Sequence, residues 1–252
     1  MFAGVQRTLY ALGYTAHTLA EAGRFLVSRR RSRVLTLQIL FTGVEALPII
    51  SLLSLALGAV TLFQGTIVFA QLGQGQLIYP ILIAVIVREL GPLLTAFIVA
   101  ARSGTAMATE LGNMVVSHEI EAYLAHGIDP IRYLAVPRIL GATISMVLLT
   151  VYFTLFGLLA SFFVTSLLTT IDAEDYFRNL LAALRVGDIL VSISKSLVSG
   201  FLIATVATYH GFAVNKASTE VPVMTIRSVG RGFTYVVLAN AIITALYYVV
   251  TA

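Results

Sequence analysis

Long apolar runs dominate the chain and recur five times along it. They cover about residues 46–70, 77–101, 139–167, 189–211 and 232–251. A helix of about 20 mostly apolar residues crosses the hydrocarbon of a bilayer, which is roughly 30 Å thick. The pattern therefore predicts an all-α integral membrane protein with five transmembrane helices. We expect one domain over residues 1–252, with the transmembrane bundle at 46–251.

The segment before the first run, residues 1–44, has a different pattern. Over residues 5–29, apolar side chains are interspersed with charged ones, and the total hydrophobicity is too low for a span. This pattern favours an interfacial helix in the inner headgroup layer, with the basic run at 29–33 beside anionic lipid. A disordered basic tail is the alternative interpretation, and the regularly placed apolar residues argue against it.

Lysine and arginine are distributed unevenly between the two sides of the predicted bundle. With the N-terminus inside, twelve of the 16 basic residues fall in cytoplasmic pieces, namely Arg7, Arg24, Arg29, Arg30, Arg31, Arg33, Arg102, Arg132, Arg138, Lys216, Arg227 and Arg231. Only Arg178 and Arg185 fall in outer pieces, and the long outer loop is acidic instead, with Asp172, Glu174, Asp175 and Asp188. The excess of cytoplasmic Lys and Arg predicts an N-in, C-out topology.

Composition excludes several classes of function. Hydrophobic residues make up 58% and charged residues 11% of the chain, whereas a soluble domain carries about 25% charged residues. The net charge of +4 follows the membrane distribution and does not indicate a nucleic-acid partner. The sequence has no cysteine, no phosphate-loop or hydrolase motif and no histidines at metal-ligand spacing. It therefore predicts neither a catalytic residue nor a metal site.

Four polar residues lie at depth within the predicted spans: Arg88, Glu89, Lys195 and Asn240. A charge at the centre of a span costs at least about 2.5–3.5 kcal/mol on insertion scales, so it usually faces protein or a water-filled cavity. Neighbours on an α-helix point about 100° apart, so we do not expect Arg88 and Glu89 to pair with each other. Lys195 is the natural partner to consider, since its side chain could reach Glu89 or instead snorkel outward to the interface.

These polar residues allow two interpretations. In the first, they line a transport pathway beside a bent helix, since Gly91-Pro92 removes a backbone donor and permits a kink. In the second, Arg88, Glu89 and Lys195 only tie helices together, and Asn240 is a hydrogen-bonding link between two helices.

The inner loop between the second and third runs, about residues 105–137, carries helix-start and helix-stop signals. Ser117 is the predicted N-cap of a short helix, and Gly127 is its predicted stop. Asp129, with the proline after it, is suited to start the next helix, which Pro137 is expected to close. A rigid inner loop of this kind predicts a docking surface for a cytoplasmic partner. Short helices that simply lie on the membrane are the alternative.

The densest run of motifs lies in the same region. It comprises Arg88-Glu-Leu-Gly-Pro92, Ala101-Arg102-Ser-Gly104, Glu110-Leu-Gly112-Asn-Met114, Glu119-Ile-Glu121-Ala, Gly127-Ile-Asp129-Pro130-Ile-Arg132-Tyr and Val136-Pro137-Arg138. Across about residues 88–141 the sequence closely resembles the MlaE-type permeases, also called YrbE or MCE-associated permeases. Chain length, number of spans and the N-terminal helix are compatible with that family.

The resemblance implies the membrane subunit of an ATP-binding-cassette (ABC) transporter in the bacterial inner membrane. Such a permease works as a homodimer with two separate ATPase subunits. ATP and Mg are used by those subunits, so no cofactor is expected in this chain. A lipid cavity lies between the two copies, and a ring of MCE-domain proteins continues the pathway on the outer side.

The resemblance also implies roles for particular residues. The charged and polar residues near the lipid cavity would be Arg88, Glu89, Lys195 and Asn240. Some relatives have an acid in the last span where this chain has Asn240, which weakens a charge role there. The inner loop would carry the coupling helix that fits the ATPase, and the residues expected to serve that contact are Arg102, Glu110, Glu119, Glu121, Tyr123 and Asp129.

Glycerophospholipid moved between the inner and outer membranes is the cargo that the resemblance implies, and some branches of the family take sterols or other lipids. The many Leu, Ile, Val and Phe residues in the spans agree with acyl chains as cargo. Two other classes compete with a lipid permease. One is a non-transporting scaffold that links an ATPase to an outer MCE-domain protein. The other is a small charge-gated channel, which would need more pore-lining polar residues than the spans contain.

Overall fold

The computed structural model describes residues 2–27, 33–168, 172–215 and 217–251, and most of them are helical. The α-helices are Phe2–Val27, Arg33–Gly43, Leu47–Gln71, Ile78–Leu82, Gly91–Val99, Thr105–Val116, Glu119–Ala125, Val136–Leu168, Ala173–Ala183, Val186–Phe212 and Glu220–Thr251. Short 3-10 turns occupy Val44–Ala46 and Gly75–Leu77. Segments of π-helix occupy Ile83–Leu90, Ala100–Gly104 and Ile131–Ala135.

Five continuous helical stretches are long and apolar enough to cross a membrane. We call them spans 1 to 5, and they are Arg33–Phe69, Ile78–Val116, Ile131–Val164, Val186–Phe212 and Glu220–Val250. Each includes all or most of one of the five apolar runs, so the predicted number and order of spans are confirmed. The chain is a multi-pass membrane protein. The N-in, C-out orientation stays a prediction from the charge distribution.

Span 1 begins earlier than the sequence pattern predicts. Residues 33–44, which were expected to belong to the N-terminal region, continue into the span through the 3-10 turn at Val44–Ala46. Polar side chains obscured this extension in the sequence. They are buried where span 1 packs on span 3, and Gln38 Nε2 donates to Thr42 Oγ1 at 2.7 Å.

Span 2 is also longer than predicted, because its helix continues from Ile78 to Val116. The second half buries Met107, Ala108 and Leu111 beside span 4. Most helical stability comes from such packing of an apolar face. The first 12 residues of the predicted inner loop, Thr105–Val116, therefore belong to span 2.

A π-helical segment, Ile83–Leu90, lies immediately before the expected kink at Gly91-Pro92. Pro92 has no backbone N–H, so an earlier carbonyl in the helix needs another partner. Local change to the i→i+5 pattern is one way in which a helix adjusts to such a defect. The other two π segments contain Arg102 and Arg132. Since Ile83–Leu90 contains Arg88, each of the three π segments contains an arginine.

Spans 3 and 4 form the centre of the bundle. Span 1 packs on span 3, span 5 packs on span 4, and span 2 contacts both central spans. Glycines permit the closest approaches between spans. A Cβ at Gly58 of span 1 would clash with the carbonyl oxygen of Gly157 in span 3, and a Cβ at Gly200 of span 4 would lie 2.9 Å from Thr143 Cα.

The N-terminal helix, Phe2–Val27, lies against spans 3 and 4. The Tyr14 hydroxyl donates to Thr208 Oγ1 of span 4 at 2.9 Å. The Glu21 carboxylate lies 3.5 Å from Arg132 Nε at the start of span 3. These contacts attach the helix to the bundle, and its interfacial placement in a membrane stays a prediction.

The connection between spans 3 and 4 folds into the helix Ala173–Ala183. Tyr176 is fully buried, and its hydroxyl lies 2.8 Å from Ser161 Oγ of span 3. Its ring also packs edge-on against Tyr79 of span 2, with centroids 5.9 Å apart. This connection therefore covers the end of the bundle between spans 2 and 3.

Candidate functional site

Charged and polar side chains from spans 2, 4 and 5 meet inside the bundle. We call this set the charged cluster, and its members are Arg88, Glu89, Asp188, Lys195, Thr244 and Tyr248. Hydrocarbon offers no hydrogen-bond partners, so ionised groups in a span pair with one another or with backbone carbonyls. The cluster meets this requirement by linking three spans.

Lys195 is the most buried member of the cluster, with 0% of its side chain exposed. Its Nζ donates to Glu89 Oε2 at 2.8 Å and to the Arg88 carbonyl oxygen at 2.8 Å. In a regular α-helix that carbonyl would accept from the N–H of residue 92, which is a proline and has none. The ammonium group of span 4 thus satisfies an acceptor that Pro92 leaves in span 2. Of the two alternatives for Lys195, the structure shows the contact with Glu89.

Arg88 is held on its other side by spans 4 and 5. Its Nη1 lies 3.3 Å from Asp188 Oδ1, and its Nη2 donates to the Tyr248 hydroxyl at 2.7 Å. The guanidinium carbon lies 5.5 and 5.2 Å from the ring centroids of Tyr247 and Tyr248. Cations at this distance are attracted to aromatic faces, so Arg88 has both ionic and aromatic partners.

The prediction that Arg88 and Glu89 would not contact each other is wrong. Arg88 Nε lies 3.5 Å from Glu89 Oε1, an ionic contact between neighbours in sequence. Both residues lie in the π segment Ile83–Leu90. A π-helix has more residues per turn than an α-helix, so consecutive side chains point in more similar directions. The α-helical spacing assumed from the sequence does not apply there.

Glu89 faces the outside of the single chain. Its side chain is 39% exposed, in contrast to that of Lys195. Thr244 Oγ1 donates to it from span 5 at 3.2 Å. Val85 and Leu93, four positions before and after Glu89 on span 2, are apolar and only partly buried. Glu89 is therefore a partly exposed charge among apolar side chains, and we call this place on the surface the polar notch, with Glu89 at its mouth.

The charged cluster is formally neutral, since it contains two carboxylates, one ammonium and one guanidinium. Its groups already pair with one another, and they offer hydrogen bonds and ionic contacts at the notch. Over the described parts of the chain, no three His, Asp or Glu side chains are grouped so that they could hold a metal ion. A neutral, partly open cluster suits reversible contact with the polar part of an amphipathic molecule.

Asn240 lies one helical turn from Thr244 but makes a separate contact. Its Nδ2 donates to Ser199 Oγ of span 4 at 3.1 Å and to the Val236 carbonyl oxygen at 2.8 Å. Its buried Oδ1 has no hydrogen-bond partner among the residues that the structure describes. Asn240 thus links spans 4 and 5 beside the cluster.

Three members of the cluster were not predicted as site residues: Asp188, Thr244 and Tyr248. The sequence analysis assigned Asp188 to the acidic outer loop, whereas it belongs to the first turn of span 4 and accepts from the Arg185 backbone N–H at 3.2 Å. An acid immediately before an apolar run is a helix-start signal that was available. The four-residue spacing of Thr244 and Tyr248 was also available, but it does not identify Arg88 as a partner.

The inner loop contains one short helix, Glu119–Ala125, which we call the ledge helix. None of its residues is buried. Gly127 follows it with a φ of +71°, the left-handed conformation that favours glycine, and so confirms the predicted stop. Asp129 Oδ1 accepts from the Ile131 backbone N–H at 2.9 Å, so Asp129 caps the start of span 3 as predicted.

Two details of the inner loop differ from the prediction. Ser117 does not cap the ledge helix, because His118 takes the N-cap position with a φ of 60° and Ser117 Oγ donates to the Glu119 carboxylate at 3.1 Å. Pro137 does not end a helix, because span 3 continues through it. It lies where the π segment Ile131–Ala135 passes into α-helix, and such a segment accommodates a missing N–H.

Two residues expected to serve the ATPase contact form ion pairs between spans, and their role in that contact stays a prediction. Glu110 Oε1 lies 2.7 Å from Arg138 Nη2, and this ion pair joins spans 2 and 3. Arg102 pairs with Glu45 and joins spans 2 and 1. The Glu110 side chain is also 60% exposed, so its carboxylate is accessible at the surface of the chain.

The remaining residues of that group have local contacts on the ledge helix. Glu121 Oε2 lies 2.9 Å from His118 Nδ1 at the first turn of the helix, where acids are favoured by the helix dipole. The Tyr123 ring packs on Tyr133, with centroids 5.4 Å apart. The structure therefore presents a short, exposed helix whose ends and side chains are fixed by neighbouring residues.

Comparison with known proteins gives the same family for almost the whole bundle. The profile described as Permease MlaE matches residues 35–246. A probable ABC transporter permease protein of Rickettsia typhi is 28% identical over 211 residues, which are 84% of this chain and 82% of the relative. The intermembrane phospholipid transport system permease protein MlaE of Haemophilus influenzae is 27% identical over 225 residues, which are 87% of this chain and 85% of the relative.

A plant protein is similar over a comparable stretch. The Arabidopsis thaliana protein TRIGALACTOSYLDIACYLGLYCEROL 1, chloroplastic, is 28% identical over 207 residues, which are 82% of this chain and 59% of the plant protein. The family profile covers all or most of each span, including every member of the charged cluster except Tyr248, and the whole ledge helix. The chain belongs to the MlaE permease family.

Proposed function

We propose that this protein is the membrane-spanning permease subunit of an ABC transporter that moves phospholipid between the inner and outer membranes. In this proposal the chain crosses the bacterial inner membrane in an N-in, C-out orientation and works as a homodimer. Separate ATPase subunits bind ATP and Mg and dock on the inner side. A ring of MCE-domain proteins continues the lipid pathway on the outer side.

One observation carries the proposal: at the polar notch, a partly exposed charge lies among apolar side chains. A phospholipid has apolar chains and a charged head, so its site requires apolar walls and a few placed polar groups. Glu89 supplies an exposed charge at the mouth, and the buried Lys195 holds it in position. A second copy that covers the exposed face of span 5 would turn this notch into an enclosed cavity.

The ledge helix supports the proposed contact with an ATPase. None of its residues is buried, and Gly127 and Asp129 define the turn that follows it. It also follows span 2 after a two-residue turn, and span 2 carries Arg88 and Glu89. Movement of the ledge helix would therefore reach the charged cluster through a single helix.

The names of the relatives support the same role. The Haemophilus protein is named for intermembrane phospholipid transport, and the Rickettsia protein is named as a probable ABC transporter permease. The concentration of Lys and Arg in the pieces assigned to the cytoplasm supports the inner location of the ledge helix.

The test is to purify the chain with its associated subunits in a mild detergent and to identify the subunits and bound lipids by mass spectrometry. We expect an ATPase and phospholipid to co-purify with the wild-type chain. The variants Glu89→Gln and Lys195→Met should retain the ATPase and lose most of the phospholipid. Ser194→Ala is the matched control, since Ser194 adjoins Lys195, is exposed and donates to the Leu190 carbonyl.

Each other outcome has a defined meaning. An ATPase without lipid in the wild-type complex would indicate a scaffold. A sterol in place of phospholipid would change the proposed cargo and leave the transporter class intact. A wild-type complex without any ATPase would contradict the proposed function.

A further inference from the structure

A cavity lies at the opposite end of span 4 from Asp188. The N-terminal helix, the ledge helix and the end of span 4 surround it, and its volume is about 570 Å³. We call it the inner cavity. Its walls include four aromatic rings and two carboxylates, which belong to Tyr10, Tyr14, Tyr209, Phe212, Glu121 and Asp129.

Aromatic rings form one side of the inner cavity. Tyr14 and Tyr209 meet edge to face, with centroids 5.5 Å apart. Phe212 follows Tyr209 by three positions in span 4 and therefore lies on the same face of that helix. Burial raises the pKa of Tyr14 above its ordinary value, so this ring adds no charge to the wall. The faces of such rings attract ammonium groups.

Negative groups form another part of the wall. Asp129 is exposed, and its Oδ1 accepts from the Ile131 backbone N–H at 2.9 Å. Its Oδ2 has no hydrogen-bond partner within the described ranges of the chain. Span 4 ends at Phe212 beside the cavity, and the C-terminal end of a helix carries partial negative charge. The carboxylate and the helix end both favour a cation in the cavity.

We propose that the inner cavity binds an ammonium group, of the choline or ethanolamine type, carried by an amphipathic or small molecule. The ammonium lies against the rings of Tyr209 and Phe212 and beside the Asp129 carboxylate. Apolar side chains of the ledge helix, Ile120 and Leu124, contact the uncharged part of the molecule. Among the described residues that line the cavity, none is basic, so the site favours cations over anions.

The ammonium group has two sources, a lipid head group at the membrane surface or a free compound in solution. The site is about 20 Å along span 4 from Lys195, so it is separate from the charged cluster. The proposal does not depend on the proposed function, because binding can be measured on the isolated chain without an ATPase or transported lipid.

The experiment uses the full chain purified in a maltoside detergent, which contains no ammonium group, and saturation-transfer NMR with choline as the probe. The matched probe is its neutral isostere, in which a tert-butyl group replaces the trimethylammonium group. We expect choline to bind and the isostere to bind at least about fivefold more weakly, as the loss of cation–π attraction predicts.

Two variants locate the site. Asp129→Asn keeps the oxygen that caps Ile131 and removes the charge, and Tyr209→Leu keeps an apolar side chain and removes the ring. Each should weaken choline binding about threefold or more. Glu119→Gln is the control, because Glu119 lies on the ledge helix outside the inner cavity. Thermal unfolding of each variant near the wild-type temperature shows that the fold is retained.

Three outcomes would contradict the proposed ammonium site. Equal binding of choline and its isostere, unchanged binding in both folded variants, or no choline binding to the wild-type chain would each overturn the proposal.

Measurements on the chain in lipid nanodiscs then distinguish the two sources of the ammonium group. Loss of free choline binding in phosphatidylcholine nanodiscs but not in phosphatidylglycerol nanodiscs assigns the site to a lipid head group. Equal binding in both assigns it to a free compound.

Discussion

The charged cluster and the ledge helix place charged residues under opposite conditions. In the cluster, Lys195 is fully buried, and its partner Glu89 is 106 positions away in the sequence. On the ledge helix no residue is buried, and Glu121 contacts His118 three positions before it. The cluster is held by contacts between spans, whereas the ledge helix is held by its immediate neighbours.

This difference indicates where substitutions should affect the folded state. A buried ion pair that loses one partner leaves the other charge poorly compensated. A side chain removed from the ledge helix is replaced by water. We therefore expect changes in the cluster to reduce stability and transport together, and changes on the ledge helix to reduce coupling with little loss of stability.

Lys195→Met is expected to have the largest effect on stability. It removes the donor to Glu89 and to the Arg88 carbonyl, and loss of one partner from a buried pair typically costs about 3–5 kcal/mol. Because Glu89 is 39% exposed, solvent screening reduces the expected loss to about 2–3 kcal/mol. Denaturant unfolding in detergent measures it, and lipid transport in proteoliposomes should fall in parallel.

The double variant Lys195→Met with Glu89→Gln is the control for this prediction. It leaves no unpaired carboxylate at the notch, so it should be more stable than Lys195→Met alone by about 1 kcal/mol. A single variant as stable as the wild type would show that this pair does not hold the cluster together.

Asp188→Asn should have an intermediate effect. The amide keeps an oxygen for the Arg185 backbone N–H but loses the charge that faces Arg88. The expected loss in free energy of unfolding is about 1–2 kcal/mol, as for a hydrogen bond to a charged group. Tyr248→Phe is the comparison, since it keeps the ring under Arg88 and removes one hydrogen bond. If Asp188→Asn loses no more stability than Tyr248→Phe, the ion pair between Arg88 and Asp188 contributes no more to stability than the hydrogen bond between Arg88 and Tyr248.

Gly127→Ala should have a smaller effect, confined to the ledge. The φ of +71° at this position costs an alanine about 1 kcal/mol, and we expect ATPase activity in the assembled transporter to respond less to lipid. Gly23→Ala is the control, because a Cβ there meets no atom within 4 Å and alanine favours a helix. Full ATPase coupling in Gly127→Ala would show that the turn after the ledge helix is not needed.

Tyr123→Leu should have the smallest effect on stability, within about 0.5 kcal/mol of the wild type. It removes a half-buried ring that packs on Tyr133 at the surface. The expected loss is in lipid-stimulated ATPase activity of the reconstituted transporter. Destabilisation as large as that of Lys195→Met would show that the charged cluster and the ledge helix do not differ in their contribution to stability.

The same contrast explains what could be predicted from the sequence. The five apolar runs and the signals at Gly127 and Asp129 are local patterns, and each is present in the structure as predicted. The early start of span 1 was hidden because Gln38 and Thr42 look polar in the sequence, while packing against span 3 buries them. A local pattern does not reveal burial that another helix provides.

The partners within the charged cluster depend even more on tertiary packing. Arg88 meets Asp188 across 100 positions and Tyr248 across 160, and these distances follow from how spans 2, 4 and 5 pack. The contact between Arg88 and Glu89 depends on a π segment, which α-helical spacing does not predict. Pro92 indicates an irregular backbone from the sequence alone. The Lys195 ammonium group that donates to the freed Arg88 carbonyl, however, lies on another span.

The uninterrupted length of span 2 has a mechanical consequence. At the α-helical rise, its 39 residues extend at most about 58 Å, nearly twice the thickness of the hydrocarbon layer, and its two π segments shorten it. If the helix tilted by about 10° about its middle, its two ends would move about 5 Å in opposite directions, and Glu89, eight residues from the middle, would move about 2 Å. A push at the end beside the ledge helix would then move Glu89, on the other side of the pivot, in the opposite direction.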